Sequence, residues 1–146
     1  MFTLPRKIFK EKRILFLIFF IFFSTLLSSS DFDSSLNWIK KKSLATKRFN
    51  QEEFKILKPY LQELLKKNVY KEDIYAILVY LSQERLSFKQ ILIILKEISA
   101  LLKVKDIPSK KLRNFIFSKI KIAKINGIRE EDLVIFLIEE IYKFRK

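Results

Sequence analysis

The sequence predicts an all-α protein: a compact bundle of about five short helices, built as α-hairpin repeats, after an N-terminal hydrophobic helix and a polar linker. Three observations carry that prediction. First, six-residue units with an apolar residue at each end recur five times: Phe49 to Phe54, Val69 to Ile74, Leu86 to Ile91, Ile107 to Leu112 and Ile128 to Leu133. This is the spacing of a hydrophobic staple, in which the residue before a helix N-cap packs on the fourth helical residue. Second, the units start 20, 17, 21 and 21 residues apart, which fits one short helix and a brief connection per interval. Third, one Gly and three Pro among 146 residues leave little material for tight hairpins or for glycine loops that cradle phosphates.

The first helix of the repeated region is expected over about Gln51 to Lys67. Asn50 is its N-cap and Glu53 sits three residues on, the pattern of a capping box. Its apolar stripe, Phe54, Leu57, Leu61, Leu64 and Leu65, is narrow, which places this helix at the surface of the bundle. Pro59 falls inside it and is expected to kink or split it, because proline removes a hydrogen bond and crowds the preceding turn. The second helix, about Lys71 to Glu84, and the third, about Phe88 to Lys103, are joined only by Arg85 to Ser87, so they are expected to lie near antiparallel. In the third, Ile91, Leu92, Ile93, Ile94, Leu95, Ile98, Leu101 and Leu102 cover most of the circumference, which marks it as the centre of the core. Ser87 and Gln90 form its capping box.

The fourth helix, about Ser109 to Ile125, follows Pro108 and ends at Asn126-Gly127, suited to a left-handed C-cap. The fifth, about Glu130 to Lys146, opens with Glu130, Glu131 and Asp132 and closes with Lys143, Arg145 and Lys146, both ends complementing the helix dipole. Its continuously apolar middle, Leu133 to Ile138, is expected either inside the core or under a partner. One helix per unit makes hairpins of about 40 residues, as in helical repeat proteins. The Trp, Leu-Gly and Tyr signature of tetratricopeptide repeats is absent, and a compact bundle is the more economical expectation.

Three segments follow from composition. Residues 1–30 read as a signal peptide or an N-terminal membrane anchor, 31–48 as a polar and basic linker or loosely docked arm, and 49–146 as the helical domain. Arg6, Lys7, Lys10, Lys12 and Arg13 precede an uncharged stretch, Ile14 to Ser30, whose strongly apolar part suits a secretory signal. Ser28 to Ser30 then offer small residues for cleavage before Asp31. The same stretch, kept uncleaved, could cross a thin bilayer. Both readings leave the basic flank inside and the remainder exported, in a periplasmic or other extracytoplasmic space. In the arm, Leu36, Trp38, Ile39 and Leu44 are the available anchors, and Trp38 is expected to pack on the first helix.

Without Cys or His, the chain has no thiol nucleophile, no imidazole base and none of the usual zinc, copper or haem ligands. The paired carboxylates Glu52-Glu53, Glu72-Asp73, Glu130-Glu131-Asp132 and Glu139-Glu140 are helix neighbours that diverge rather than converge, and three of the four sets stand where a first turn wants negative charge. A Ser-Lys dyad through Ser82, Ser99 or Ser118 is the remaining nucleophile arrangement the composition permits. The reading is therefore of a non-enzyme, with no cofactor and no metal.

Charge points toward binding instead. The net charge is +14, and residues 31–146 alone hold 25 basic against 15 acidic side chains. On the fourth helix Lys110, Arg113, Phe117, Lys121 and Lys124, three or four apart, share a face opposite Leu112, Ile116, Ile120 and Ala123. This stripe, with Phe117 exposed among cations, is the candidate site for an anionic surface such as lipid headgroups or a cell-wall polymer. Nucleic acid is a less favoured partner, and a protein partner is the other expectation. Leu86-Ser87-Phe88-Lys89-Gln90 resembles, over five residues and with Ser for Thr, the Leu-Thr-x-x-Gln element of small, basic, all-helical periplasmic chaperones. The same letters make a staple and a capping box, and no functional residue follows from them.

Overall fold

From residue 49 onward each helix begins where an apolar residue stands just before the cap. The structure, a computed structural model, describes residues 32–146. Six helices and no strand occur among them: α1 over 32–45, α2 Gln51–Lys66, α3 Lys71–Gln83, α4 Phe88–Val104, α5 Ser109–Ile125 and α6 Glu130–Arg145. The capping boxes of Asn50 with Glu53 and of Ser87 with Gln90 are both closed. Of the ten staple residues nine are buried, and Ile128 is half-buried. The hydrophobic N-terminal segment lies outside the described residues.

Three connections share one device. Lys47, Asn68 and Gly127 adopt positive φ of 55°, 65° and 68°, and the residue after each returns its N–H to a carbonyl five residues back: Arg48 to Ser43, Val69 to Leu64, Ile128 to Ala123. These are Schellman closures, which satisfy the last carbonyls of a helix. Val69 and Ile128 thus end one helix and staple the next, which is why helices repeat at such short intervals.

Residues 32–45, read as part of a polar linker or loosely docked arm, are helical, with Leu36, Ile39 and Ser43 buried. A stripe that narrow, beside Lys40, Lys41 and Lys42, is weak as an isolated helix and is held by docking. Pro59 does not split α2, which runs through it. The carbonyl that loses its N–H partner belongs to Lys55, an exposed residue.

Contacts between one hairpin and the next fall at a nearly constant distance along the chain, 36 to 40 residues. Trp38 meets Tyr75, Phe49 meets Phe88, Tyr80 meets Phe117, and Lys105 meets Phe144. The pairs advance in the same order along both partners. Tyr60 and Glu63 of α2 face Lys96 and Ser99 of α4, and Asp73, Tyr80 and Glu84 of α3 face Arg113, Phe117 and Lys124 of α5. These partners therefore run parallel. Within the last hairpin the order reverses, since Phe115 meets Phe144 while Lys119 meets Glu140, so α5 and α6 are antiparallel. The result is three stacked α-hairpins, with α1, α3 and α5 in one layer and α2, α4 and α6 in the other.

The core lies between the layers. Leu57, Leu61 and Leu64 of α2, Ile74, Ile77 and Leu78 of α3, and Ile94, Leu95, Ile98 and Leu101 of α4 are almost fully buried. Helix α4 packs against both α2 and α6, as its broad apolar surface implies. Ile93, 43% exposed, and Val104, 53% exposed at its last position, are the exceptions on it.

Candidate functional site

The predicted stripe on α5 does form one face, and α3 lies along its inner flank. Arg113 donates from Nη1 to Asp73 Oδ1 at 2.9 Å. Asp73 is 5% exposed, and its other oxygen accepts from Ser109 Oγ at 2.6 Å, while Ser109 accepts from the Tyr70 amide at 2.8 Å. This buried polar clamp locks the start of α3 to the start of α5. A charge that deep requires such partners. At the far end of the stripe Lys124 pairs with Glu84 at 2.5 Å.

Two of the four stripe cations are thus neutralised, by Asp73 of α3 and by Glu84 at its C-cap. Phe117 is only partly open, at 37%, because its ring lies against Tyr80 with centroids 4.6 Å apart. Lys110 and Lys121 remain exposed without a carboxylate partner among the described residues, and Lys121 Nζ stands 4.9 Å above the Phe117 ring. Of the stripe's four cations two are thus left without an acid partner among the described residues, and Arg113 belongs to the clamp.

A second cluster of the same chemistry lies on the same layer and was not evident from the sequence. Trp38 of α1 and Tyr75 of α3 meet edge to face at 5.8 Å. Lys42 Nζ lies 4.4 Å from the Trp38 ring and 5.6 Å from Tyr75, and Lys71 Nζ lies 5.2 Å from Trp38. Trp38 therefore meets α3, because stacked hairpins place α1 beside α3. Only the 37-residue offset shared by Trp38 with Tyr75 and Tyr80 with Phe117 could have revealed the pairing. Helix α3 is thus flanked on each side by an aromatic pair carrying lysines.

The three serine hydroxyls that a Ser-Lys dyad would use have structural partners. Ser82 Oγ donates to the Leu78 carbonyl at 2.7 Å, Ser118 Oγ to the Phe115 carbonyl at 3.0 Å, and Ser99 Oγ to the Glu63 carboxylate. Glu140 faces Lys119 at 3.0 Å, and that hydrogen-bonded ammonium holds its carboxyl below the ordinary range, against the opposing cost of burial. Among the described residues no group of three potential ligands is placed to hold a metal ion, and no helix is long and apolar enough to cross a membrane. Neither a protein-family model, nor a curated protein, nor a solved structure matches this chain.

Proposed function

We propose that the chain is an exported, non-catalytic helical module that binds an anionic envelope surface or a protein partner through the layer of α1, α3 and α5. The observation that carries this reading is the pair of aromatic and lysine clusters on that layer, Trp38 and Tyr75 with Lys42 and Lys71, and Phe117 with Lys121, none of these lysines neutralised by a carboxylate among the described residues. Cations held over aromatic rings are desolvated on one side and directed outward on the other, a surface suited to phosphate or carboxylate groups spaced along a polymer or a membrane. Export rests on the basic flank and apolar run of residues 1–30.

Binding to phosphatidylglycerol vesicles across a salt series tests the surface. Lys42→Glu and Lys121→Glu should each weaken binding several-fold and flatten its salt dependence, with little change in melting temperature. Negligible wild-type affinity at low salt for vesicles, together with the same result for duplex DNA, would remove the anionic-surface half of the reading. The second form of the proposal keeps residues 14–30 as an anchor, making the module a membrane-tethered scaffold component. Intact-mass measurement on membrane and soluble fractions separates the two forms: a species beginning near Asp31 excludes the tether, and a full-length species confined to membranes excludes cleavage.

A further inference from the structure

Helix α6 carries two apolar stripes. Leu133, Val134, Leu137 and Ile141 are buried against α4 and α5, while Ile135 and Tyr142, 58% and 52% exposed, point away from them with half-buried Ile138 between. Glu131, Ile135, Ile138, Tyr142 and Arg145 follow one another at intervals of four, three, four and three residues. That is the seam spacing of a two-helix coiled coil. Beside it runs an open groove of about 640 Å³, lined by Ile138, Tyr142 and Arg145 and by Glu97 of α4.

We infer that this outer face of α6 pairs antiparallel with the same face of a second copy of the chain, about a two-fold axis at Ile138. The pattern is self-complementary only in that direction. Antiparallel pairing sets Ile138 against Ile138 of the copy, Ile135 against Tyr142, and Glu131 against Arg145, twice each by symmetry. Parallel pairing would instead put Glu131 on Glu131 and Arg145 on Arg145. Both residues are exposed and have no ion-pair partner among the described residues of their own chain. The 16-residue helix is about 24 Å long and covers less than the roughly 800 Å² per partner of a standard interface. The dimer is accordingly weak and reversible, with a dissociation constant on the order of tens to hundreds of micromolar. The inference is independent of the anionic-surface reading, which uses the other layer.

Sedimentation equilibrium of the full-length chain in density-matched mild detergent, over a wide concentration range, reads the association. The wild type should fit a monomer–dimer equilibrium. Glu131→Arg and Arg145→Glu should each raise the dissociation constant about five- to tenfold, since each change converts two attractive contacts into repulsive ones. The two together should restore it to within about threefold, because the pair is exchanged rather than lost. Ile138→Glu should abolish dimerisation while circular dichroism reports an unchanged fold. A chain that stays monomeric throughout, a combined variant that is no better than the singles, or an assembly indifferent to Ile138→Glu would each overturn the inference.

Discussion

Lys47, Asn68 and Arg85 hold left-handed backbone conformations that cost an L residue about 1 kcal/mol each, and they do so because the next helix must start at once. Arg85 is exposed and its φ is 57°, so Arg85→Gly should raise stability by about 0.5–1 kcal/mol in urea denaturation. The opposite change has the opposite sign. A Cβ at Gly127 would meet nothing within 4 Å, so Gly127→Ala should cost only the backbone term, about 1 kcal/mol, visible in the same measurement. Phe117→Ala should cost about 1–2 kcal/mol: more than an isolated surface aromatic, because the contact with Tyr80 is lost, and less than a core residue, because the ring is 37% exposed.

Helices here are joined by specific polar ties as well as by apolar packing. The clamp of Asp73, Ser109 and Arg113 is the deepest of these. Asp73→Ala would leave Arg113 and the Ser109 hydroxyl without their acceptor, at a cost of about 1–3 kcal/mol in thermal or urea unfolding. Arg113→Glu would set a like charge against Asp73, so it should lower the melting temperature where Lys121→Glu does not. The tie between α5 and α6 gives a pH dependence. Lys119 lowers the pKa of Glu140 in the folded state, so the carboxylate contributes stability that is complete above the ordinary Glu range and is lost as pH falls through that range to the folded-state value. Glu140→Gln should therefore reduce stability near pH 7 by less than about 1 kcal/mol and lessen the loss on acidification, as urea midpoints near pH 7 and pH 3 would report.

Across residues 35–146 the organising fact is repetition. Each hairpin meets the next at an offset of 36 to 40 residues, so a core residue of α4 supports both α2 and α6. Ile91→Ala or Leu133→Ala should cost about 2–5 kcal/mol, as for other buried aliphatic residues. The last two helices differ in charge: α5 carries six basic residues from Lys110 to Lys124 and no acidic one, whereas α6 opens with Glu130, Glu131 and Asp132.

The all-α class, the positions of α2 to α6, the capping boxes of α2 and α4 and the buried faces were all written in the sequence, because staples, caps and 3.6-residue periodicity act over fewer than ten residues. The predicted and observed starts of these five helices coincide at Gln51, Lys71, Phe88, Ser109 and Glu130. Helix α1 escaped that logic, since its few apolar residues acquire a partner only when Trp38 reaches Tyr75. The candidate site divides in the same way. Helical periodicity placed Lys110, Arg113, Phe117, Lys121 and Lys124 on one face, but whether each faces solvent depended on Asp73, Tyr80 and Glu84, 37 to 40 residues away. Local patterning determines what a helix presents, and only the stacking of hairpins decides which of those groups meet a partner in the same chain and which are left for another molecule.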